Sequence, residues 1–261
     1  MLKLALGVEY LGQAYCGWQK QHHCSSVQQQ VEWALSYIAD QPVEVFCAGR
    51  TDTGVNAVGQ VIHFETSAER PLRAWLEGTN TRLPDDIRIS WVKSVDKSFH
   101  ARFSAEARQY RYVIFNRPTR SAILTGRVTW EREALDAQIM NIAAQYLLGE
   151  QDFSSFRASE CQAAHPRREV QKVEVVRRGD FVFIDIKANA FLHHMVRNIA
   201  GTLMQIGRGQ MEASWVNELL TLKDRTKATA TAPASGLYFV NAFYPAIFDL
   251  PIIQPNEVLW Q

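Results

Sequence analysis

The chain has 261 residues, of which 47% are hydrophobic and 21% are charged. That composition is ordinary for a globular protein and excludes a disordered chain, a collagen and a small disulfide scaffold. Its 28 Lys and Arg residues against 27 Asp and Glu leave a formal net charge of +1, so a charged partner has to be inferred from local clusters.

Hydrophobic periodicity predicts alternating strands and helices in the first hundred residues. Ser26, with Gln29 three residues later, forms a capping box that begins a helix. The predicted elements are a strand at Leu2–Tyr10, a helix at Ser26–Ala39, strands at Val43–Ala48 and Val58–Phe64, and a helix at Leu72–Thr79.

The rest of the chain repeats this pattern. The predicted elements are a strand at Gln109–Phe115, a helix at Leu135–Leu147, a hairpin of Val170–Val176 with Phe181–Ile186, helices at Phe191–Gly207 and Trp215–Leu222, and a strand at Gly236–Phe243. Hairpins mixed with packing helices are typical of the α+β class. We predict two related α/β halves, 1–100 and 101–250, and a tail at 251–261.

The cysteine pattern favours a cytoplasmic protein. Cys16, Cys24, Cys47 and Cys161 form no CxxC pair, as is usual in a reducing compartment. The first residues lack a signal-peptide pattern, and no segment approaches the roughly 18 apolar residues of a membrane span. Cys16 and Cys24 with His22 and His23 offer zinc ligands, but their spacing matches no usual finger, so we predict a polar loop without metal.

Charge is concentrated in residues 101–130, where six arginines face one acid, Glu106. The six are Arg102, Arg108, Arg111, Arg117, Arg120 and Arg127. Aromatic residues are interleaved with them at Phe103, Tyr110, Tyr112 and Phe115. Such a stretch suits phosphate contact with base stacking, and it equally suits a solvated face whose aromatic residues point into the core.

The strongest local candidate for chemistry is Asp52, in the glycine-bounded loop Gly49–Val55 that follows a predicted strand. Such a loop can project a carboxylate into a cleft, although an Asp in a Gly-rich turn is usually only a turn or cap residue. Arg197 lies in an apolar helix and, if buried, needs a carboxylate partner. Asp52 is a candidate partner, and the pair would keep the carboxylate ionised, as a nucleophile requires.

Other catalytic motifs are missing from the sequence. It contains no GxSxG elbow, no Walker loop and no HExxH. A glycosidase needs two carboxylates flanking the bond, and the next acid after Asp52 is Glu65, across a predicted strand.

Many short blocks together resemble the tRNA pseudouridine synthase A (TruA) family. The signature Gly49-Arg50-Thr51-Asp52-x-Gly54-Val55 is accompanied, in order, by Gly7–Tyr10, Cys16–Gln19, Ser26–Gln28, Phe99–Ala105, Arg108–Tyr112, Asp152–Arg157, Ala190–Asn198 and Ala232–Tyr238. The resemblance covers nearly the whole chain. Two positions depart from the family pattern, which usually has alanine at Thr53 and histidine at Asn56.

The resemblance implies an activity and its partners. The family isomerises uridine to pseudouridine in the anticodon stem-loop of tRNA, at tRNA positions 38, 39 and 40, without metal or organic cofactor. It implies the pseudouridine synthase fold, with two α/β halves around a central, mainly antiparallel sheet, and a homodimer with tRNA across both subunits.

The resemblance also implies roles for individual residues. Asp52 corresponds to the catalytic aspartate, which either attacks the sugar or acts through proton transfer at C2′. Tyr110 corresponds to the tyrosine that stacks on the target base, and Arg197 to the arginine that pairs with the aspartate. Leu237 corresponds to the apolar residue that packs on the uracil.

Substrate binding is expected from arginines. The resemblance implies that Arg50 fills the space left by the flipped nucleotide, since a stacked base must leave the helix before chemistry. Arg102, Arg108 and Arg111 lie beside Tyr110 in sequence and are expected to hold the RNA backbone. A binding-only tRNA protein on the same scaffold is the alternative. A small-molecule hydrolase is disfavoured by the basic, aromatic stretch.

Overall fold

The computed structural model describes residues 1–253. It divides into two compact units, which we call unit 1 (Met1–Glu106 together with the chain from Phe239) and unit 2 (Ala107–Tyr238). The predicted tail at 251–261 lies outside the described residues from position 254 onward. Within the described part of the chain, no helix has both the length and the apolar character needed to cross a bilayer.

The chain forms ten strands and four α-helices in the described residues. The strands are β1 (Leu2–Tyr10), β2 (Phe46–Cys47), β3 (Asn56–Thr66), β4 (Ile87–Ser94), β5 (Ala107–Asn116), β6 (Thr129–Glu131), β7 (Gly149–Asp152), β8 (Arg167–Arg178), β9 (Phe181–Ala188) and β10 (Leu237–Phe243). The helices are α1 (Val27–Ala39), α2 (Ala137–Gln145), α3 (Met195–Gly207) and α4 (Trp215–Leu222). This confirms the predicted α+β class.

Unit 1 is built on β1, which pairs antiparallel with both β3 and β4. β2 adds a short antiparallel pair to β3. α1 begins as the capping box predicted, because the Ser26 hydroxyl accepts a hydrogen bond from the Gln29 amide at 3.3 Å. The helix ends at Asp40, which adopts the left-handed conformation (φ 55°).

Unit 2 contains the antiparallel order β5-β9-β8-β7, with β6 parallel to β5. β8 and β9 form the predicted hairpin, which turns at Gly179 with φ 57°. α2 packs against β8 and α3.

Several element boundaries differ from the prediction. The expected strand Val43–Ala48 is reduced to the two residues of β2, and the expected helix Leu72–Thr79 is a π-helical turn at Ala74–Gly78. α3 begins four residues later than predicted, because His194 takes a left-handed conformation (φ 61°) that an α-helix cannot continue through. Short or irregular strands such as β4, β6 and β7 were not predicted.

The division into units also differs from the predicted halves at 1–100 and 101–250. The last strand neighbours β3, so the chain from Phe239 belongs to unit 1. Within this returning segment, the Asn241 side chain accepts from the Ile253 amide at 2.9 Å and donates to the Ile253 carbonyl at 2.6 Å. The nitrogen and the oxygen of one side-chain amide therefore hold the chain after β10 against the strand.

The cysteines are not all free thiols, as the sequence suggested. Cys16 and Cys24 form a disulfide, whereas Cys47 and Cys161 are unpaired. The Cys16 amide donates to the Ser25 carbonyl at 2.9 Å, which brings the two ends of the intervening loop together. Residues 16–24 are thus a covalently closed polar loop rather than a zinc finger.

Thiol counting tests this pairing. We expect the purified protein, denatured under non-reducing conditions, to react with a thiol reagent at two sites per chain, and at four after a dithiol reductant. Cys47→Ser should lower both numbers by one and serves as the control. Four reactive thiols before reduction would contradict the disulfide.

Candidate active site

The loop that carries Asp52 is fixed to the sheet at its start. The Gln60 side chain on β3 donates to the Gly49 carbonyl at 2.6 Å and accepts from the Gly49 amide at 3.4 Å. One step before, the Ala48 amide bonds to the Val61 carbonyl at 2.8 Å. These hydrogen bonds to β3 fix the position and direction of the backbone where the loop begins.

Thr51 anchors the middle of the loop in the interior of unit 1. Its hydroxyl shares a 2.7 Å hydrogen bond with the Tyr10 hydroxyl, and its carbonyl accepts from the Trp18 amide at 3.0 Å. Burial raises the pKa of Tyr10, so this phenol is neutral. Gly17 has φ 85°, and a Cβ there would lie 2.5 Å from the Thr51 carbonyl oxygen and 2.9 Å from the Asp52 carbonyl carbon. Only glycine permits this approach.

Asp52 follows directly from this anchor and is half-buried. Its carbonyl accepts from the Val55 amide at 3.1 Å, closing a turn in which Gly54 has φ 77°. Thr53, where the family usually has alanine, is exposed. The carboxylate thus stands on a rigid turn at the border between the core and the surface.

Asn56 has a structural role. It is fully buried, and its side-chain oxygen accepts from the Gly12 amide at 2.8 Å. A neutral amide oxygen satisfies that backbone donor in the interior. This departure from the family's usual histidine therefore holds the loop after β1 against the start of β3.

Arg50 and Arg102, both predicted to contact RNA, are exposed on unit 1. Both guanidinium groups act electrostatically on the Cys47 thiol. Burial raises the pKa of this thiol to about 12, and the two positive charges oppose that rise. The thiol is accordingly protonated and is not a nucleophile at neutral pH. The two arginines share the neighbourhood of this cysteine.

In unit 2, Arg197 lies half-buried on α3. Its Nε donates to the Ala232 carbonyl at 2.8 Å, and the Ala232 amide donates back to the Arg197 carbonyl at 3.2 Å. One turn further, a Cβ on Gly201 would lie 2.5 Å from the Ala230 carbonyl oxygen, so glycine lets this segment lie directly on the helix. Asp52 belongs to unit 1, and its pairing with Arg197 stays a prediction.

The same segment connects α3 to the strand that carries Tyr110. Tyr112 on β5 donates to the Pro233 carbonyl at 2.8 Å, and Gly236 packs where a Cβ would lie 2.8 Å from the Val113 carbonyl oxygen. Leu237, the next residue, is buried. Residues 230–237 therefore position Arg197 and Leu237 around β5 within unit 2.

Tyr110 occupies β5 opposite Ile186 of β9. Its side chain is 8% exposed and meets the Phe191 ring edge-on, with ring centroids 4.9 Å apart. Such edge-to-face packing fixes the plane of the ring. A fixed ring is suited to receive a planar base.

Sequence reasoning missed Asn198, which organises this part of unit 2 from α3. Its amide nitrogen donates to the Phe156 carbonyl at 2.8 Å, and its oxygen accepts from Thr231 at 2.7 Å and from Arg225 at 3.1 Å. It is fully buried. Its role could have been suspected from the sequence, because Asn198 is a polar residue next to Arg197 in a largely apolar helix.

Arg111, which the sequence predicts to hold the RNA backbone, lies inside unit 2. Arg111 is 5% exposed, and its guanidinium makes two 2.8 Å bonds to the Asp185 carboxylate and lies over the Phe183 ring at 4.9 Å. This is a bidentate ion pair inside unit 2. The sequence did contain a signal for this pair, since Asp185 is an acid in the otherwise apolar first part of β9. Arg108 is half-buried and donates to the Asn189 carbonyl at 3.1 Å.

The aromatic residues of the basic stretch divide in the same way. Tyr110, Tyr112 and Phe115 are buried, whereas Phe103 is 75% exposed. The interpretation as core-facing residues fits Tyr112 and Phe115, which are 0% and 4% exposed. The surface interpretation holds for Phe103 alone.

Comparison with known proteins identifies the class to which this fold and aspartate loop belong. A family model described as tRNA pseudouridine synthase matches residues 7–104 and 143–245, so the chain belongs to this family.

Individual relatives are more specific. The chain is 64% identical over 261 residues, and over the whole of both chains, to "tRNA pseudouridine synthase A" of Hydrogenovibrio crunogenus. It is 58% identical to the protein of the same name from Photorhabdus laumondii, with 96% of this chain and 95% of the relative covered. The Klebsiella pneumoniae protein of that name is 56% identical, with 97% and 94% covered. The resemblance inferred from the motifs is thereby confirmed.

The Arg111–Asp185 pair generates a stability prediction. Asp185→Ala removes the carboxylate from a guanidinium that is only 6% exposed, and we expect it to lower the free energy of unfolding by about 3 kcal/mol. Urea denaturation measures this. The exposed pair Arg73–Glu77 is the control, because Glu77→Ala should cost less than about 1 kcal/mol. Equal effects of the two substitutions would contradict the buried-pair assignment.

Proposed function

We propose that this protein isomerises uridine to pseudouridine in the anticodon stem-loop of tRNA, at positions 38, 39 and 40. The observation that carries the proposal is the Asp52 turn, anchored through Thr51 and Gly17, in a chain 64% identical over its full length to a relative named tRNA pseudouridine synthase A. A binding protein has no need of a carboxylate held this rigidly.

The reaction is an isomerisation within one nucleotide. The N1–C1′ bond breaks, the uracil turns, a C5–C1′ bond forms, and the C5 proton is lost while N1 gains one. Atoms and electrons balance without an oxidant, a reductant or a hydrolytic water. The proposal therefore assigns no cofactor and no metal to the reaction.

Asp52 is the catalytic residue of the proposal. As a nucleophile it attacks the sugar at C1′; on the second route it removes the proton at C2′. Both need an ionised carboxylate whose backbone does not move as charge develops on the sugar. The hydrogen bonds to Thr51 from Tyr10 and Trp18 support that rigidity.

The base and its arginines complete the site. Tyr110 stacks on the uracil, Leu237 packs on it, and Arg197 pairs with the catalytic aspartate. Arg50, exposed two residues before Asp52, fills the gap left by the flipped nucleotide, which offsets part of the unstacking cost of a few kcal/mol. Arg102 and Arg108 remain as backbone contacts, and Arg111 does not.

The proposal also includes the assembly and the compartment. We assign a homodimer with tRNA bound across both subunits, acting in the cytoplasm, where tRNA is matured. Phosphate contacts by exposed arginines should make tRNA binding depend steeply on salt.

Substitution of two acids, Asp52 before β3 and Glu65 within β3, tests the catalytic assignment. Asp52→Asn should abolish pseudouridine formation in an unmodified tRNA transcript and leave tRNA binding within about twofold of wild type, because the amide is isosteric but neither nucleophilic nor basic. Glu65→Gln is the matched control, since Glu65 is surface-exposed and paired with Lys3 at 3.0 Å, and it should remain active. Carbodiimide labelling with primer extension, run with a chelator, measures the product.

The possible results separate the alternatives. Stops in the anticodon arm that vanish with Asp52→Asn support the isomerase. Tight tRNA binding without stops supports a binding-only protein. Release of free uracil supports a hydrolase.

A further inference from the structure

Unit 1 carries an exposed aromatic cluster that the catalytic assignment leaves without a role. Phe103 is 75% exposed and Phe46 is 45% exposed. The half-buried His100 ring lies between them, with its centroid 4.3 Å from Phe103 and 5.5 Å from Phe46. We call Phe46, His100 and Phe103 the aromatic patch. Large apolar rings grouped at a surface usually mark a binding site.

The patch is held rigidly from below. The His100 Nδ1 accepts from the amides of Arg102 at 3.1 Å and Phe103 at 3.3 Å, and the His100 amide and carbonyl both bond to Ser104. The next residue, Ala101, is tied to the core by its amide, which donates to the His63 Nδ1 at 3.1 Å. Phe103 thus stands on a turn that is already ordered, so little conformational entropy is lost when a ligand packs on it.

His100 in the patch and His63 next to it are neutral aromatic rings. Burial, and then the neighbouring His100, lower the pKa of His63 to about 4. Burial also lowers the pKa of His100. Glu65, whose charge acts on His63, is neutralised by Lys3 at 3.0 Å. The patch therefore presents ring surface rather than charge at neutral pH.

Positive charge lies at the margin of the patch. The Arg102 guanidinium is 5.6 Å from the centre of the Phe103 ring. Arg102 and Arg50 both act on Cys47, the residue after Phe46. Arg50 precedes Asp52 by two positions in the chain, so the charge shared around Cys47 links the patch to the loop that carries the proposed catalytic aspartate. Ring planes flanked by arginines match an unpaired nucleobase with its phosphate.

We propose that the aromatic patch stacks an unpaired nucleobase of the substrate tRNA next to the catalytic loop, with Phe103 as the main platform and Arg102 on the adjoining phosphate. This inference rests on the proposed tRNA substrate. It makes Phe103 a substrate-positioning residue outside the pocket that receives the uridine. The patch adds affinity that does not depend on counterion release, because stacking neutralises no phosphate.

Two substitutions separate stacking from charge. Phe103→Leu keeps an apolar side chain without the ring, and should raise the Kd and KM for tRNA about tenfold, with kcat and the slope of log Kd against log salt unchanged. Phe103→Trp should restore the affinity. Arg102→Gln should weaken binding and reduce the salt slope by about one. Trp33→Leu, at a 55% exposed aromatic residue on α1, is the matched control and should bind like wild type.

A photo-crosslinker at position 103 identifies the occupant. We expect a crosslink to one unpaired nucleotide in the arm that contains the modified uridine. Wild-type Kd and KM for Phe103→Leu, or a crosslink to a second protein chain in place of tRNA, would overturn the proposal. If wild type formed no pseudouridine while Phe103→Leu still weakened tRNA binding, the proposed function would fail and the patch would stand.

Discussion

The close contact between Gly17 and the Thr51–Asp52 backbone is the constraint on which the candidate site depends. A left-handed glycine lets the chain after β1 lie against the loop that carries Asp52, and the Trp18 amide then bonds to the Thr51 carbonyl. Thr51 in turn bonds to Tyr10 at the end of β1. The position of the Asp52 backbone is therefore set by the largely buried strand β1 and the chain that follows it, rather than by the loop alone.

In unit 2, the predicted site residues are positioned by polar side chains that form hydrogen bonds inside the protein. Arg197 and Asn198, neighbours on α3, satisfy backbone carbonyls and side chains from three other segments. Buried polar groups that are fully bonded fix one arrangement, because every alternative leaves a donor or acceptor without a partner. The segment at 230–237 is held by these bonds, so the residues predicted to surround the uracil are placed by a network and not by apolar packing alone.

The basic and aromatic stretch shows how two interpretations of one sequence pattern can each be right for different residues. Arg111 and Tyr112 lie on a buried strand, where the arginine is paired with an acid 74 positions away. Arg102 and Phe103 lie on the turn before that strand and face solvent. Spacing along the chain does not distinguish them, because the strand is covered and the turn is not.

The sequence by itself determined the class, the family resemblance and the candidate nucleophile. β1, the capped α1 and the β8–β9 hairpin were predictable, since periodicity, caps and turn residues act locally. Tertiary structure decided the start of α3, the return of the last strand to unit 1 and the disulfide partners. It also decided which arginines are exposed. The return of the last strand and the exposure of the arginines depend on contacts between residues distant in sequence, and the disulfide and the start of α3 depend on the backbone path of a single loop. Hydrophobic periodicity and capping patterns do not report either of these.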